Sequence, residues 1–130
     1  MKEDARGGDP QTYALIGAAM AVHNELGGGF TEPVYQDAFE VELRLKNLPF
    51  TRETPVTVLY RGLPLKSTYR TDFICFDAIV TELKAVRSLL PEHEAQVINY
   101  LKATGLHRGL LFNFFGQKLE FKRIVLDYRS

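Results

Sequence analysis

The stretch Thr71–Ala85, TDFICFDAIVTELKA, is mostly apolar and reads as two short strands folded back around Asp77. Asp72, Glu82 and Lys84 lie inside it. Strand side chains alternate between faces, so Arg70, Asp72 and Ile74 share one face, and Glu82 and Lys84 share a face of the next strand. With the hairpin centred on Asp77, Asp72 lies opposite Glu82. Directly opposed residues have Cβ atoms about 4.5–5.5 Å apart, and like charges there are destabilising. A hard divalent cation held by oxygen ligands, Mg²⁺ or Mn²⁺, would offset that repulsion. The backbone carbonyl of Leu83 is the candidate third ligand, with the Leu83 side chain turned to the opposite face. The competing reading is a wet, charged hairpin face on which Arg70 and Lys84 balance the carboxylates. Apolar Ile79, Val80 and Leu83 argue instead for a central strand.

Working outward, VTVLY alternates and is β-branched, and RGLP after it is a turn signal. This makes VTVLY, LKSTYRTDFICF and AIVTELKA three consecutive strands. GLLFNFF and LEFKRIVL, separated by GQK, are two more. Before the strands, Pro10 opens a helix capped by Asp9, with Leu15, Ala19, Val22 and Leu26 at helical spacing. GGG at 27–29 ends it. Thr31 caps a second helix, on which Val34, Ala38, Val41 and Leu45 form an apolar stripe expected to face the core. PEHEAQVINYLKATG has a Pro start and a Gly stop and is a third helix. The order ααβββαββ predicts one α+β domain, sandwich-like, with a mixed sheet flanked by helices.

With 130 residues, the chain suits one domain with a modest core, spanning residues 10–130 behind a flexible tail at 1–9. Hydrophobic residues make up 45%, enough for a packed fold. Sixteen basic residues balance 16 acidic ones, so total charge supplies no general attraction to polyanions. Cys75 is the single cysteine, which excludes an intrachain disulfide and a cysteine-only zinc site. No apolar run approaches the roughly 18 residues of a membrane span, and MKEDARGGDP holds no apolar leader. The expectation is a cytoplasmic protein without a membrane partner.

Two further stretches bear on the carboxylate pair. In GFTEPVY, Gly29, Glu32 and Tyr35 follow G-x-x-E-x-x-Y, and Glu32 and Tyr35 lie on one helix face. In HEAQVINY, His93, Gln96 and Tyr100 share a face at i, i+3 and i+7. The plain alternatives are a carboxylate favoured at a helix N-terminus and a solvated helix side.

Taken together these residues resemble the GxxExxY proteins, and TDF…TELKA resembles the D…(D/E)-x-K core of the PD-(D/E)XK nuclease superfamily. VHNELGGGF, ELRL, HEAQVINYLKATG and GLLFNF look like the same family, so the resemblance runs from about Tyr13 to Leu126. Thr71 stands where the superfamily name has proline. The resemblance implies a restriction-endonuclease-like core, with Asp72 and Glu82 as metal ligands and Lys84 beside the attacking water. It implies Glu32 as a third acidic residue of the metal site. Gln96 and Tyr100 match the Q-x-x-x-Y helix element of RecB-type and phage-exonuclease-type members, where it supports the site and the bound phosphate.

The implied activity is Mg²⁺- or Mn²⁺-dependent hydrolysis of DNA phosphodiester bonds, exonuclease-like, with RNA as a second candidate substrate. Lys84, flanked by two carboxylates, suits electrostatic stabilisation better than base chemistry. Tyr35, Arg70, Arg87 and His93 are candidate nucleic-acid contacts, and Arg61, Lys66, Lys102 and Arg108 could extend a basic track. His23 and Cys75 read as core residues. Phe112, Phe114 and Phe115 read as core or subunit interface. A small nuclease with that much aromatic area suggests a homo-oligomer. The alternative function is a non-catalytic module that keeps the fold and binds nucleic acid or protein.

Overall fold

Alternation in the 71–85 stretch puts its apolar residues on both faces of a strand pair, so helices are needed on both sides. The computed structural model, which describes residues 9–128, supplies them in the expected order. The elements are α1 (Pro10–Leu26), α2 (Glu32–Leu45), β1 (Phe50–Tyr60), β2 (Leu63–Cys75), β3 (Ile79–Lys84), α3 (Pro91–Thr104), β4 (Arg108–Asn113) and β5 (Glu120–Val125). The five strands form one sheet in the order β1-β2-β3-β4-β5. Only β3 and β4 run parallel, joined by the crossover through α3, so the sheet is mixed and the fold α+β. Among the described residues no helix is long and apolar enough to cross a membrane.

One sheet face sends Phe73, Cys75, Ile79, Leu83, Leu110 and Phe112 against α1 and α2. The other sends Val80, Leu111 and Ile124 against Val97, Tyr100 and Leu101 of α3. Phe112 and Phe114 are fully buried, whereas Phe115 is exposed, so most of the terminal aromatic area belongs to the core. Cys75 is buried too, and burial pushes its thiol up to about 12. His23 is a satisfied core histidine: its Nε2 lies 2.8 Å from the Gly116 carbonyl.

Two expectations are corrected. Residues 1–8 of the expected tail lie outside the described residues, but Asp9 is a built part of the fold. Its carboxylate accepts the Thr12 N–H at 2.8 Å, capping α1, and pairs with Arg108 at 2.6 Å. On α2, Val34, Val41 and Leu45 of the stripe are exposed and Ala38 is partly buried against the core, while Tyr35, Phe39 and Leu43 are buried. The two stripes are offset by about one residue, a rotation of roughly 100°. The buried set holds two aromatic rings, which bring more apolar area to the core than valines do. Phe39 meets Phe73 edge-on at 5.1 Å, and Tyr35 stacks on Phe114 at 4.6 Å.

The height of α3 above the sheet is set at Gly109, the second residue of β4. A Cβ there would lie 2.6 Å from Cγ1 of Val97. Valine is stiff at χ1 and cannot swing away cheaply. Gly109→Ala should therefore cost about 1–3 kcal/mol, and Val97→Ala should recover part of that loss in the double variant. Urea denaturation of the two single variants and the double one checks this through the sign of the coupling.

Candidate active site

The β2–β3 register pairs Cys75 with Ile79, Ile74 with Val80 and Phe73 with Thr81. Carried one step further it sets Asp72 opposite Glu82, as the sequence implied. The main-chain ladder stops before that step. The two carboxylates replace it: Oε2 of Glu82 accepts the Asp72 N–H at 2.7 Å, and Oδ2 of Asp72 accepts the Leu83 N–H at 2.8 Å. The β1–β2 ladder skips the same level, at Glu53, whose φ is +51°. Arg70 donates to the Glu53 carbonyl at 3.1 Å. β3 stays paired with β4 through Lys84 and Asn113. β2 is thus the strand that departs, and it departs at Asp72.

Burial shapes the charge on this pair. Glu82 is 3% exposed. Burial, with the Asp72 charge added, pushes its carboxyl from the ordinary 4.5 to about 7. Burial also raises Asp72, against the opposing pull of the Leu83 N–H, the Lys84 charge and a hydrogen bond from Gln36, while the Glu32 charge adds to the rise. Lys84 follows Glu82 by two residues on the same strand face and favours ionisation of both carboxylates.

Glu32 opens α2 and reaches the chain just beyond Lys84, where its Oε2 accepts the Ala85 N–H at 3.4 Å. Gln36, one turn later, was not singled out from sequence, although its i+4 spacing from Glu32 places it on the same helix face. Asn113 was missed as well. Its side chain accepts from Val86 N–H at 3.0 Å and donates to the Val86 carbonyl at 2.8 Å, clamping the segment after Lys84. A lone amide in the apolar run GLLFNFF was the available signal.

From the opposite side, α3 presents Gln96 and Tyr100. Tyr100 is 5% exposed, and burial together with the negative charge of Glu82 and Asp72 pushes its hydroxyl up to about 12. The phenol therefore stays protonated at neutral pH. Thr71, in the proline position of the superfamily name, is buried and donates its hydroxyl to the Phe73 carbonyl at 3.0 Å.

The expected nucleic-acid contacts divide. Tyr35 is fully buried, and its hydroxyl donates to the Gly27 carbonyl at 2.6 Å and accepts the Phe30 N–H at 3.1 Å. It fastens the glycine loop to α2 and is closed to a polymer. Nδ1 of His93 accepts the Leu90 N–H at 2.9 Å at the start of α3. Arg70 is exposed but engaged at the β1–β2 irregularity. Arg108 is paired with Asp9 at the end of β4 remote from Asn113. Arg87 is exposed three residues past Lys84, with its guanidinium 5.9 Å from the Phe115 ring.

Among the described residues, no three Asp, Glu, His or Cys side chains gather into a ready cage for a metal. Glu32 is near enough for its charge to act on Asp72, and its Oε2 accepts the Ala85 N–H. The Asp72–Glu82 pair nonetheless suits a hard cation. Both are oxygen donors, Glu82 is buried and Asp72 partly buried, burial raises both carboxyls, and the Asp72 charge adds to the rise of Glu82. A dication would relieve these penalties together.

The sequence matches the PD-(D/E)XK nuclease superfamily over residues 9–124. The chain belongs to that superfamily, whose members generally use divalent metals. Its fold is similar to the crystal structure of SSO0001, with a TM-score of 0.59 and 23% identity, over 73% of this chain and 52% of that one. It thus spans about half the length of that protein. It is also similar to an alkaline exonuclease, LHK-Exo, from Laribacter hongkongensis, with a TM-score of 0.55 and 12% identity, over 98% of this chain and 73% of that one. No curated protein matches the sequence.

Two outcomes follow from this geometry. Tyr35→Phe leaves the Gly27 carbonyl and the Phe30 N–H without their partner, and should cost about 1–3 kcal/mol in chemical denaturation. Affinity of the folded variant for an oligonucleotide should be unchanged by anisotropy. The second concerns pH. Folding raises the Glu82 value, so the native state binds the extra proton. The resulting stabilisation is fully present below about 4.5 and is lost as pH rises through about 7. Metal-free protein should lose on the order of 1–3 kcal/mol across that window. Glu82→Gln, which keeps an acceptor for the Asp72 N–H, should flatten the profile and be the more stable form at pH 8. Urea unfolding in EDTA across pH measures both.

Proposed function

We propose that this chain is a nuclease of the GxxExxY type that hydrolyses phosphodiester bonds of DNA with Mg²⁺ or Mn²⁺, in an exonuclease-like manner. The observation that carries the reading is the pair of partly buried Asp72 and buried Glu82, where β2 leaves β3, with Lys84 on the same face. Membership of the nuclease superfamily supports it, and the fold likeness to an alkaline exonuclease and the Gln96–Tyr100 spacing favour the exonuclease-like form. The GxxExxY assignment draws support from the three positions of the pattern. Gly29 has φ +112°, Glu32 reaches Ala85, and Tyr35 locks the loop between them.

In this reading Asp72 and Glu82 hold the ion, with the Leu83 carbonyl as the main-chain ligand and Glu32 extending the site. When bound, the ion supplies Lewis-acid polarisation of a phosphate oxygen and a more acidic water. Lys84 orients that water and offsets the negative charge that grows in the transition state. Gln96 and the protonated Tyr100 are hydrogen-bond donors to the phosphate from the α3 side. Arg87 gives the exposed positive charge nearest Lys84 in sequence. Self-association is part of the proposal and draws on the exposed α2 stripe of Val34, Val41 and Leu45. A monomer mass by light scattering would remove that part.

The test uses end-labelled single- and double-stranded DNA and RNA with Mg²⁺ or Mn²⁺. Lys84→Ala should lose at least about 100-fold in cleavage rate, in the range of a lost charge-stabilising donor, and keep its Mn²⁺-dependent thermal shift. Asp72→Asn should lose both. A Lys84→Ala protein as active as the parent would sink the assignment. A parent that binds these nucleic acids without cutting them would favour the non-catalytic binding module.

A further inference from the structure

Beside the carboxylate pair, a groove of about 640 Å³ runs between α3 and the outer half of the β1–β2 hairpin. Its walls include Leu59 and Tyr69 from the hairpin and Gln96, Asn99, Tyr100 and Lys102 from α3, with the Glu92 carboxylate at the start of that helix as the one acidic group. One of these, Tyr100, feels the negative charges of Glu82 and Asp72, which sets the groove next to the candidate active site. The Tyr69 ring meets the Tyr100 ring at 6.0 Å, tilted by 63°. Tyr69 is 51% exposed and Leu59 is 62% exposed, while Tyr100 is 5% exposed. A large aromatic ring is thus held against a buried one with much of its surface open to solvent. Asn99 and Lys102 are exposed on the neighbouring helix, offering an amide and a positive charge along the same wall.

This combination has the chemistry of a nucleotide subsite. An open ring stacks a base of any identity, an amide hydrogen-bonds a base edge, and an ammonium pairs with the next phosphate. The volume lies within the range of small-ligand pockets, and so suits a nucleotide or two rather than a helix. Bases inside a duplex already stack on both sides, so away from a duplex end only an unpaired base can offer its face to Tyr69. We infer that this groove binds an unpaired nucleotide next to the scissile phosphate, so that the chain engages nucleic acid as a single strand with Tyr69 as the stacking platform. The inference rests on the nuclease reading for its scissile phosphate, but the binding it claims can be measured without cleavage.

The probe is a short fluorescein-labelled oligothymidylate, compared with a duplex of equal length, in EDTA and with Ca²⁺ replacing Mg²⁺. Tyr69→Ala should weaken single-strand binding by roughly 5- to 100-fold, the span expected for one lost base stack. Tyr69→Phe should bind as the parent does, because the ring and not the hydroxyl carries the contact. Duplex affinity should change little in either. The chain contains no tryptophan, so Tyr69→Trp installs a single indole whose emission should be quenched as the oligothymidylate binds. Equal single-strand affinity in Tyr69→Ala, or an indole blind to saturating oligothymidylate, would overturn the inference. Cleavage by the parent together with unchanged binding in Tyr69→Ala would remove the groove and leave the nuclease. Tyr69-dependent binding without cleavage in Mg²⁺ or Mn²⁺ would do the reverse.

Discussion

The structure turns on one exchange of hydrogen bonds. Where β2 should continue its ladder with β3, the Asp72 and Glu82 carboxylates each take the other strand's N–H. Buried backbone donors need partners, and the carboxylates provide them while allowing the main chains to separate. The separation is what lets β2 depart while β3 continues beside β4 to the level of Asn113. The outer hairpin, the groove beside α3 and the access to the pair all follow from it.

The exchange also creates an electrostatic tension that packing alone does not resolve. Burial disfavours ionisation of both carboxyls, and with the Asp72 charge added Glu82 is driven to about 7. Lys84 and Gln36 offset part of this for Asp72. The remainder makes the pair a natural holder of positive charge. A site of this kind stores instability in the free protein and releases it on binding, which is a common arrangement where function and stability compete.

The helices place the remaining chemistry from two sides. α2 brings Glu32 and Gln36 because Tyr35, Phe39 and Leu43 anchor its other edge in the core. α3 brings Gln96 and Tyr100 at a height fixed by Gly109 against Val97. Asn113 ties down the segment leaving β3, so Lys84 sits between two clamped stretches. The glycine loop before α2 is held by the Tyr35 hydroxyl and by the approach of Gly28 to the Phe115 carbonyl, where no Cβ would fit.

Element order, the hairpin about Asp77 and the opposition of Asp72 and Glu82 were legible in the sequence. Each depends on local alternation or turn chemistry, which neighbouring residues decide among themselves. The core roles of His23 and Cys75 were legible for the same reason. Which stripe of α2 faces inward was not, because two apolar stripes lie about one residue apart and only the partner rings Phe73 and Phe114 choose between them. Nor was the burial of Tyr35, the positions of Gln36 and Asn113 beside the site, or the loss of Arg108 to Asp9. These depend on contacts between residues far apart in the chain, such as Asp9 with Arg108 and Asn113 with Val86. No local pattern encodes such distances; only the packed sheet and its helices decide them.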